Sequence, residues 1–302
     1  ASASVMILLT RSFAAKSHDT IGRDLVAMCV NDVVTCGADP LFFLDYFATS
    51  KLDVDVAAAV IAGIAAGCRD AGCALLGGET AELPGMYAEG EYDLAGFCVG
   101  VVERAKIVDG KRTRAGDVLL GVASSGLHSN GYSLARRAVL EHAGLALDAV
   151  PEGFGFGFDQ TLARVLLEPT RIYAKALRAA IATGGVHAVA HFTGGGLAGN
   201  VPRVLPAGLG AVLEVNTWER PAVFDLVQKC GAVSEDEMRR TFNLGLGLVI
   251  ACDRDAVGGV QGALEAAGER VFRVGFVVEC AAGEDDYDAR ARLVGGAGAR
   301  AT

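Results

Sequence analysis

Apolar residues recur with helical spacing in two stretches near the beginning of the chain. In residues 24–35 they fall along one side, which predicts a helix that ends before Gly37. A longer helix is predicted to begin at Asp53 or Asp55, whose carboxylate can accept the free N–H groups of a first turn, and to continue to about Ala71. Apolar runs beside these helices indicate strands. The predicted strands cover residues 41–48, 73–76 and 92–102.

The alternation continues after a polar, basic stretch at residues 103–116, where Asp109-Gly110 is a turn signal. Interleaved helices and strands indicate an α/β or α+β protein, and the length suggests two domains or one large one. Further strands are predicted at 118–123, 211–215, 246–252 and 271–278, and helices at 132–142, 160–182, 221–230 and 255–267. The predicted divisions are an atypical segment 1–17, domains 18–108 and 109–290, and a tail 291–302.

Composition excludes several classes of protein. The 302 residues are 52% hydrophobic, and the 40 glycines follow no Gly-X-Y period, so the chain is neither disordered nor collagen-like. The formal net charge of −9 argues against bulk electrostatic binding of nucleic acid. The best candidate for a membrane span, residues 56–68, is too short to cross a bilayer.

Cysteine usage and the first 17 residues bear on the compartment. The eight cysteines include no Cys-x-x-Cys pair, which favours buried free thiols in a reducing compartment such as the cytoplasm over a zinc site. The first 17 residues are basic, serine-rich and free of acidic residues, which is typical of a plastid or mitochondrial transit peptide. A truncated or misassembled N-terminus would have the same composition, so both explanations stay open.

Asn31 and Asp32 lie inside the first predicted helix, although both residue types prefer caps and turns. Asp24 precedes them by seven and eight residues, so the three side chains share one helix face. That face is either exposed to solvent without a further role or part of a magnesium site. Mg²⁺ commonly binds one or two carboxylates together with nucleotide phosphates.

A glycine pair follows the predicted strand at 73–76. Gly77 and Gly78 allow the backbone to approach a ligand closely. Glu79 and Thr80 are then expected at the end of that strand, where α/β proteins commonly bind ligands. The alternative is a glycine-rich turn with a solvated carboxylate.

Residues 124–131 are a predicted loop between a strand and a helix. Hydroxyl and N–H groups in such a loop suit a phosphate, and His128 can hydrogen-bond a phosphate or act as an acid or base. A histidine without such a role is the alternative. The sequence contains no Walker A motif. The candidate residues are Ser124, Ser125, Gly126, His128, Ser129 and Asn130.

Two later segments add candidates. His187 and His191 are four residues apart, but the glycine run that follows disfavours a metal-binding helix, so zinc is not expected. Asn243 precedes a predicted strand, either as part of a site or as an ordinary strand entry. The glycine run suits a backbone nest or the close approach of a ligand. It consists of Thr193, Gly194, Gly195 and Gly196.

Five strings occur in a fixed order: HDTIGRDLVAMCVND, GGETAELPGMY, SSGLHSNGYSL, HFTGGGLAGNVPRVLP and RTFNLGLG. Together they resemble the phosphoribosylformylglycinamidine cyclo-ligase family, also called AIR synthetase, from about His18 to about Val278. The resemblance implies a two-domain fold in which the N-terminal sheets of a homodimer pair into a β-barrel and the C-terminal half is an α/β sandwich. It also implies ATP-dependent cyclisation of formylglycinamidine ribonucleotide (FGAM) to aminoimidazole ribonucleotide in purine (IMP) biosynthesis. ADP and phosphate are released, and the intermediate is an iminophosphate.

The resemblance also implies roles for particular residues. Asp32 is the implied catalytic residue of the magnesium and phosphate network, with Glu79 as a second metal ligand. His128 is the implied active-site histidine of the substrate loop, and Asn243 lines the cleft between domains with residues 193–196. The expected cofactors are ATP and Mg²⁺. The expected partners are FGAM and a second copy of the chain. The implied ATP-site residues are Asn31, Asp32, Gly77, Gly78, Glu79 and Thr80.

One segment departs from the family pattern. The family has a loop resembling Gly-Thr-Asp-Gly-Val-Gly-Thr-Lys about ten residues before the string that begins here at His18, whereas this chain has ASASVMILLTRSFAAKS. The aspartate and lysine of that loop have no counterpart. Two expectations therefore stand, an active ligase and a catalytically impaired or truncated dimerising homologue. Selenophosphate synthetase and thiamine-monophosphate kinase are disfavoured because they lack the HSNGYSL and NVPRVLP strings.

Overall fold

Among the residues that the structure describes, the first sheet and two α-helices form an N-terminal unit. The structure, a computed structural model, describes residues 2–8, 18–280 and 290–295. The strands run antiparallel except for β2 and β3, which are parallel, and their order is β1-β4-β2-β3. The elements are β1 (Ser2–Leu8), α1 (Ile21–Thr35), β2 (Asp39–Thr49), α2 (Val54–Ala71), β3 (Ala74–Glu82) and β4 (Tyr92–Val101).

Both helices of this unit pack on one face of the sheet. Phe43 and Cys98 on the strands are buried against Leu25 and Cys29 of α1. Asp53 caps α2, because its carboxylate accepts the N–H groups of the first turn. The two helices therefore form a layer between the first sheet and the rest of the chain.

Within the described part of the chain, the second sheet and seven short α-helices form a C-terminal unit. Its strand order is β10-β7-β9-β5-β8-β6, and only the β10–β7 pair is parallel. The strands are β5 (Val118–Ala123), β6 (Val186–His191), β7 (Leu209–Glu214), β8 (Leu246–Cys252), β9 (Val271–Glu279) and β10 (Ala291–Val294). The helices are α3 (Tyr132–Arg136), continued as a π-helix (Arg137–His142), α4 (Leu162–Leu166), α5 (Ala174–Ala182), α6 (Gly196–Asn200), α7 (Ala222–Gly231), α8 (Glu235–Thr241) and α9 (Val257–Ala266).

A single apolar core joins the two units. Buried residues of α1 and α2 pack with Leu177 of α5, Ile250 of β8 and Leu264 of α9 in one cluster. A second cluster lies on the other side of the C-terminal sheet, around Phe224 and Phe242. No helix within the described residues is both long and apolar enough to span a bilayer.

Most predicted elements are confirmed, and the differences have local causes. The helix predicted at 160–182 is wrong, because residues 167–173 leave the helix around Pro169, which cannot donate a backbone hydrogen bond. β6, α6, α8 and β10 were not predicted. β10 lies in the predicted tail 291–302, but its Ala291 is buried and Leu293 packs on the second core. Ser2–Leu8, within the atypical segment, pairs with β4.

Close contact between α1 and α2 depends on glycine. A Cβ on Gly63 would lie 2.4 Å from the backbone oxygen of Asp19, just before α1, and 3.4 Å from Cα of Gly22 in α1, whereas a Cβ on the exposed Gly262 of α9 would meet nothing within 4 Å. We expect Gly63→Ala to lower the free energy of unfolding by about 1–3 kcal/mol through overpacking. Gly262→Ala should raise it by about 0.5–1 kcal/mol through helix propensity. Denaturant titrations of both variants check this, and equal effects would contradict the tight α1–α2 contact.

Candidate functional site

A polar face of α1 lies against the C-terminal unit. Asp24, Asn31 and Asp32 share this face as the sequence predicts, but they differ in exposure. Asp24 and Asn31 are buried, while the Asp32 side chain is 41% exposed. The face is therefore not a plain solvated surface, and only Asp32 is open to a ligand.

Both polar atoms of the Asn31 side chain form hydrogen bonds within the protein. Its Nδ2 donates to the carbonyl oxygen of Arg171 at 2.8 Å, and its Oδ1 accepts the N–H of Tyr173 at 2.9 Å. Both partners lie in the break between α4 and α5, so the amide fixes that segment. Nδ2 of Asn31 also lies 3.5 Å from Nε2 of His191.

Asp32 pairs with a histidine from the other unit. Nδ1 of His191 donates to Oδ1 of Asp32 at 2.7 Å, an assignment that follows from the carboxylate being an acceptor. His191 is the last residue of β6, and its side chain is almost completely buried. In the sequence it appeared only as a disfavoured zinc ligand. Its position at a strand end, directly before the Thr193 segment, was the signal for a site role.

His128 is buried inside its loop. Its Nε2 accepts the N–H of Ser125 at 3.0 Å and also lies 3.4 Å from the backbone nitrogen of Arg171. Burial, together with the positive charge of the nearby His191 and Arg171, lowers the pKa of His128 to about 3. The imidazole is therefore neutral at physiological pH and acts here as a hydrogen-bond acceptor that organises two segments.

The backbone of this loop is strained. His128 and Ser129 have φ values of 52° and 56°, in the left-handed region. This region costs an L-residue about 1–2 kcal/mol, so surrounding contacts must impose it. One such contact is made by Asn130, whose Nδ2 donates to the carbonyl oxygen of His128 at 2.6 Å.

Asp24 supplies another contact from α1. Its Oδ1 accepts Ser129 Oγ at 2.9 Å and both the N–H and Oγ1 of Thr170, at 2.8 and 2.5 Å. Burial raises the pKa of the Asp24 carboxyl to about 6, and the hydrogen bonds from Thr170 and Ser129 oppose that rise. The sequence placed Asp24 on the right face but gave no partner for it.

The structure brings the Asn243 segment against the same loop. Ser124 Oγ donates to Asn243 Oδ1 at 3.0 Å, and Asn243 Nδ2 donates to the carbonyl oxygen of Gly126 at 2.9 Å. Asn243 Oδ1 also accepts the N–H of Gly245 at 2.8 Å. Asn243 is therefore more than a strand entry, because it holds the start of the loop in place.

The Thr193 segment lies beside the loop as well. A Cβ on Gly194 would be 4.0 Å from Oδ1 of Asn130 and meet nothing closer, so the backbone there is open. Gly195, in the left-handed region, is likewise open, with side-chain atoms no nearer than 3.5 Å. Gly196 differs, since a Cβ would clash with the backbone of Arg239 at 2.2 Å. Gly194 and Gly195 can thus receive a ligand, and Gly196 is needed for packing.

The Gly77–Thr80 segment is arranged differently from the prediction. These residues do not follow a strand but belong to the edge strand β3, paired with β2. A Cβ on Gly78 would lie 2.4 Å from the backbone oxygen and from Oδ1 of Asp45, so this glycine accommodates Asp45 rather than a ligand. The sequence missed this because glycine is uncommon inside strands.

Glu79 is not brought to Asp32 within one chain. It pairs with Tyr46, and strand alternation places both on the outer face of the sheet, opposite the face that carries Phe43 and packs on α1. Among the residues that the structure describes, no group of three or more His, Cys, Asp or Glu side chains could hold a metal ion. Within one chain the first sheet therefore separates Glu79 from Asp32.

A cavity of about 820 Å³ opens between the two units beside Ser125. Three cationic side chains, Arg23, Arg171 and Lys175, line it. Arg171 pairs with the buried Glu269 at 3.1 Å, and Arg23 pairs with Asp70. The carboxylates of Asp19 and Glu168 also line the cavity, so its walls carry charges of both signs beside the loop of His128.

Comparison with known proteins identifies the family. Residues 3–102 match the model for the AIR synthase related protein N-terminal domain, and residues 114–287 match the model for its C-terminal domain. The phosphoribosylformylglycinamidine cyclo-ligase of Myxococcus xanthus is 58% identical over 266 residues, which are 88% of this chain and 76% of the relative. The enzyme of the same name from Sorangium cellulosum is 60% identical over 270 residues, with the same shares.

Solved structures show the same fold at low identity. The hydrogenase maturation protein HypE of E. coli has a TM-score of 0.69 and 22% identity, and the match covers 99% of this chain and 83% of that one. Thiamine-monophosphate kinase from Stenotrophomonas maltophilia has a TM-score of 0.67 and 16% identity, with 98% and 86% covered. These likenesses concern the fold alone. The identities near 60% and both family models show that the chain belongs to the AIR synthase related family, among the phosphoribosylformylglycinamidine cyclo-ligases.

Proposed function

We propose that this chain cyclises FGAM to aminoimidazole ribonucleotide with consumption of ATP and release of ADP and phosphate, a step of purine biosynthesis. The observation that carries the proposal is the convergence of three distant segments on one loop. The His128 loop meets Asn243, the Thr193 segment and the polar face of α1. Relatives near 60% identity bear the name of this activity.

The reaction needs positioning and charge neutralisation more than acid–base chemistry. The amide oxygen of FGAM attacks the γ-phosphorus of ATP. ADP leaves, and the product is an iminophosphate. The neighbouring amine nitrogen then attacks the activated carbon, the ring closes, and phosphate leaves. Chemistry of this kind is accelerated chiefly by holding the reacting atoms in place and stabilising developing charge. A neutral, buried His128 fits such a site as an organiser of its loop.

The substrate's own phosphate has a suitable place beside the loop. Ser125 borders the cavity between the units, whose lining includes the cations Arg171 and Lys175 together with the carboxylates Glu168 and Glu269. The open backbone at Gly194 and Gly195 lies next to Asn130 of the loop. We assign the ribonucleotide of FGAM to this region.

Asp32 is the residue that fits a nucleotide-bound magnesium ion. One oxygen of its carboxylate is bound to His191, and the side chain remains 41% exposed. A single exposed carboxylate suits Mg²⁺ held mainly by phosphates rather than by an all-protein cage. When bound, the ion would neutralise charge on the ATP phosphates. His191 fixes the direction of the Asp32 carboxylate.

The alternative is a dimerising homologue with impaired catalysis. It rests on residues 1–17, which contain no glycine where the family has a glycine-rich loop. The bacterial names of the relatives and the eight free cysteines favour a cytoplasmic location for either function. An organelle location rests on the first 17 residues alone.

We expect the purified chain to release ADP from ATP in the presence of FGAM and Mg²⁺. Asp32→Asn should lower kcat/KM for ATP by about 10²–10³-fold, since it removes one charge from the phosphate network, and should change Tm by less than about 2 °C. Asp39→Asn, an exposed carboxylate paired with Arg178, is the matched control and should behave as wild type.

A coupled assay of ADP formation with a thermal melt separates the alternatives. If the chain releases no ADP, or releases ADP at the same rate without FGAM, it is the dimerising homologue with impaired catalysis. A large loss of Tm in Asp32→Asn with an unchanged KM for ATP would mean that Asp32 is structural.

A homodimer is part of the proposal. The helices pack on one face of the first sheet. Other apolar side chains on its strands are exposed, including Leu76 at 66% and Phe97 at 41%. By strand alternation Phe97 lies on the outer face, opposite the buried Cys98. Exposed apolar surface of this kind suits a second copy of the same sheet.

We expect Phe97→Asp to convert a dimer to a monomer, because a charge would be buried at the centre of the paired sheets. Phe158→Asp is the matched control, since Phe158 is 95% exposed on a loop of the C-terminal unit. Sedimentation velocity of the wild type and both variants measures the effect. A monomeric wild type, or a dimer that survives Phe97→Asp, would exclude this face as the interface.

A further inference from the structure

The carboxylate of Asp24 has all its identified partners in the other unit. It sits on α1, and its Oδ1 receives hydrogen bonds from Ser129 Oγ, Thr170 N and Thr170 Oγ1. A buried carboxylate is retained only where such bonds replace its water shell. Its burial is thus tied to the docking of the C-terminal unit on α1.

The two segments that Asp24 holds are the two that His128 joins. Ser129 follows His128, and Thr170 precedes Arg171, whose N–H faces Nε2 of His128. Ser125, at the other end of the loop, donates its hydroxyl to the carbonyl oxygen of Pro169 at 2.6 Å. Asp24 therefore closes a ring of contacts around the loop, at the residue whose φ is 56°.

We propose that Asp24 is a positioning residue that fixes the Ser124–Gly131 loop for FGAM through Ser129 and Thr170. The inference rests on the proposed function, since it assigns FGAM to this loop. Asp24 touches no reacting atom. Asp24 links α1, which also carries Asp32, to the loop of His128. Asp32 and the loop are thereby held in a fixed relative position.

A purely structural role predicts different behaviour. The carboxylate of Asp39 also links the units, through Arg178 of α5 at 3.3 Å, but it touches neither segment around His128. If Asp24 only stabilised the docking of the units, its loss would lower Tm without a selective effect on one substrate, and Asp39→Ala is the control for losing an exposed link between the units.

The experiment compares Asp24→Ala, Asp24→Asn, Ser129→Ala and Asp39→Ala in the full chain. KM values for FGAM and ATP are measured separately, and FGAM binding without ATP is measured by calorimetry. We expect Asp24→Ala to raise KM and Kd for FGAM at least about tenfold, with KM for ATP within about threefold of wild type. For Asp24→Asn, KM and Kd for FGAM should stay within about threefold of wild type. All three hydrogen bonds go to one oxygen, and the amide retains that oxygen.

Ser129→Ala keeps the proposal testable if Asp24→Ala does not fold. It should raise KM and Kd for FGAM severalfold, with a Tm near that of wild type. An unchanged FGAM affinity in Ser129→Ala, or equal changes in both KM values in Asp24→Ala, overturns the positioning role. A wild type that binds FGAM without turnover refutes the catalytic function and leaves the calorimetric comparison as the test. A wild type that does not bind FGAM refutes the proposed function and, with it, this inference.

Discussion

The structure depends on the burial of two polar side chains of α1 against the C-terminal unit. Asp24 and Asn31 are enclosed, and a buried polar group left without a partner costs about 1–3 kcal/mol. Their partners are Ser129, Thr170, Arg171 and Tyr173, all in the C-terminal unit. The apolar core that spans both units provides the bulk of the attraction, but these hydrogen bonds fix its orientation. The site follows from that orientation, because the same helix presents Asp32 to His191.

Much of the fold could be predicted from the hydrophobic pattern. β5 and β8 agree with their predicted bounds, and α1 begins only three residues before its predicted start. The break after Leu166 was missed because apolar residues continue on both sides of it, and a single proline was the local signal. β6 was missed because all of its residues are buried, so it shows no alternation.

The segments of the candidate site could be predicted from the sequence, but the contacts between them could not. Residue types and spacing singled out Asp32, the His128 loop, the glycine run and Asn243. The partners of Asp24 and Asp32 could not be found in this way, since Ser129 is 105 residues from Asp24 and His191 is 159 residues from Asp32. Glu79 was placed wrongly for a related reason. Its pair of glycines looked like a loop, whereas pairing with β2 makes the segment a strand.

Hydrogen exchange at two backbone amides tests most directly whether α1 holds the site together. The N–H of Thr170 donates to Asp24 and that of Tyr173 donates to Asn31, so each reports one of the two buried side chains. Both amides lie in an irregular segment that would exchange quickly if it were an ordinary surface loop. We expect both to be protected as strongly as Ile250 in the core of β8, and Asn31→Ala to remove the protection of Tyr173. Exchange of both amides at the rate of an exposed loop in the wild type would contradict the account.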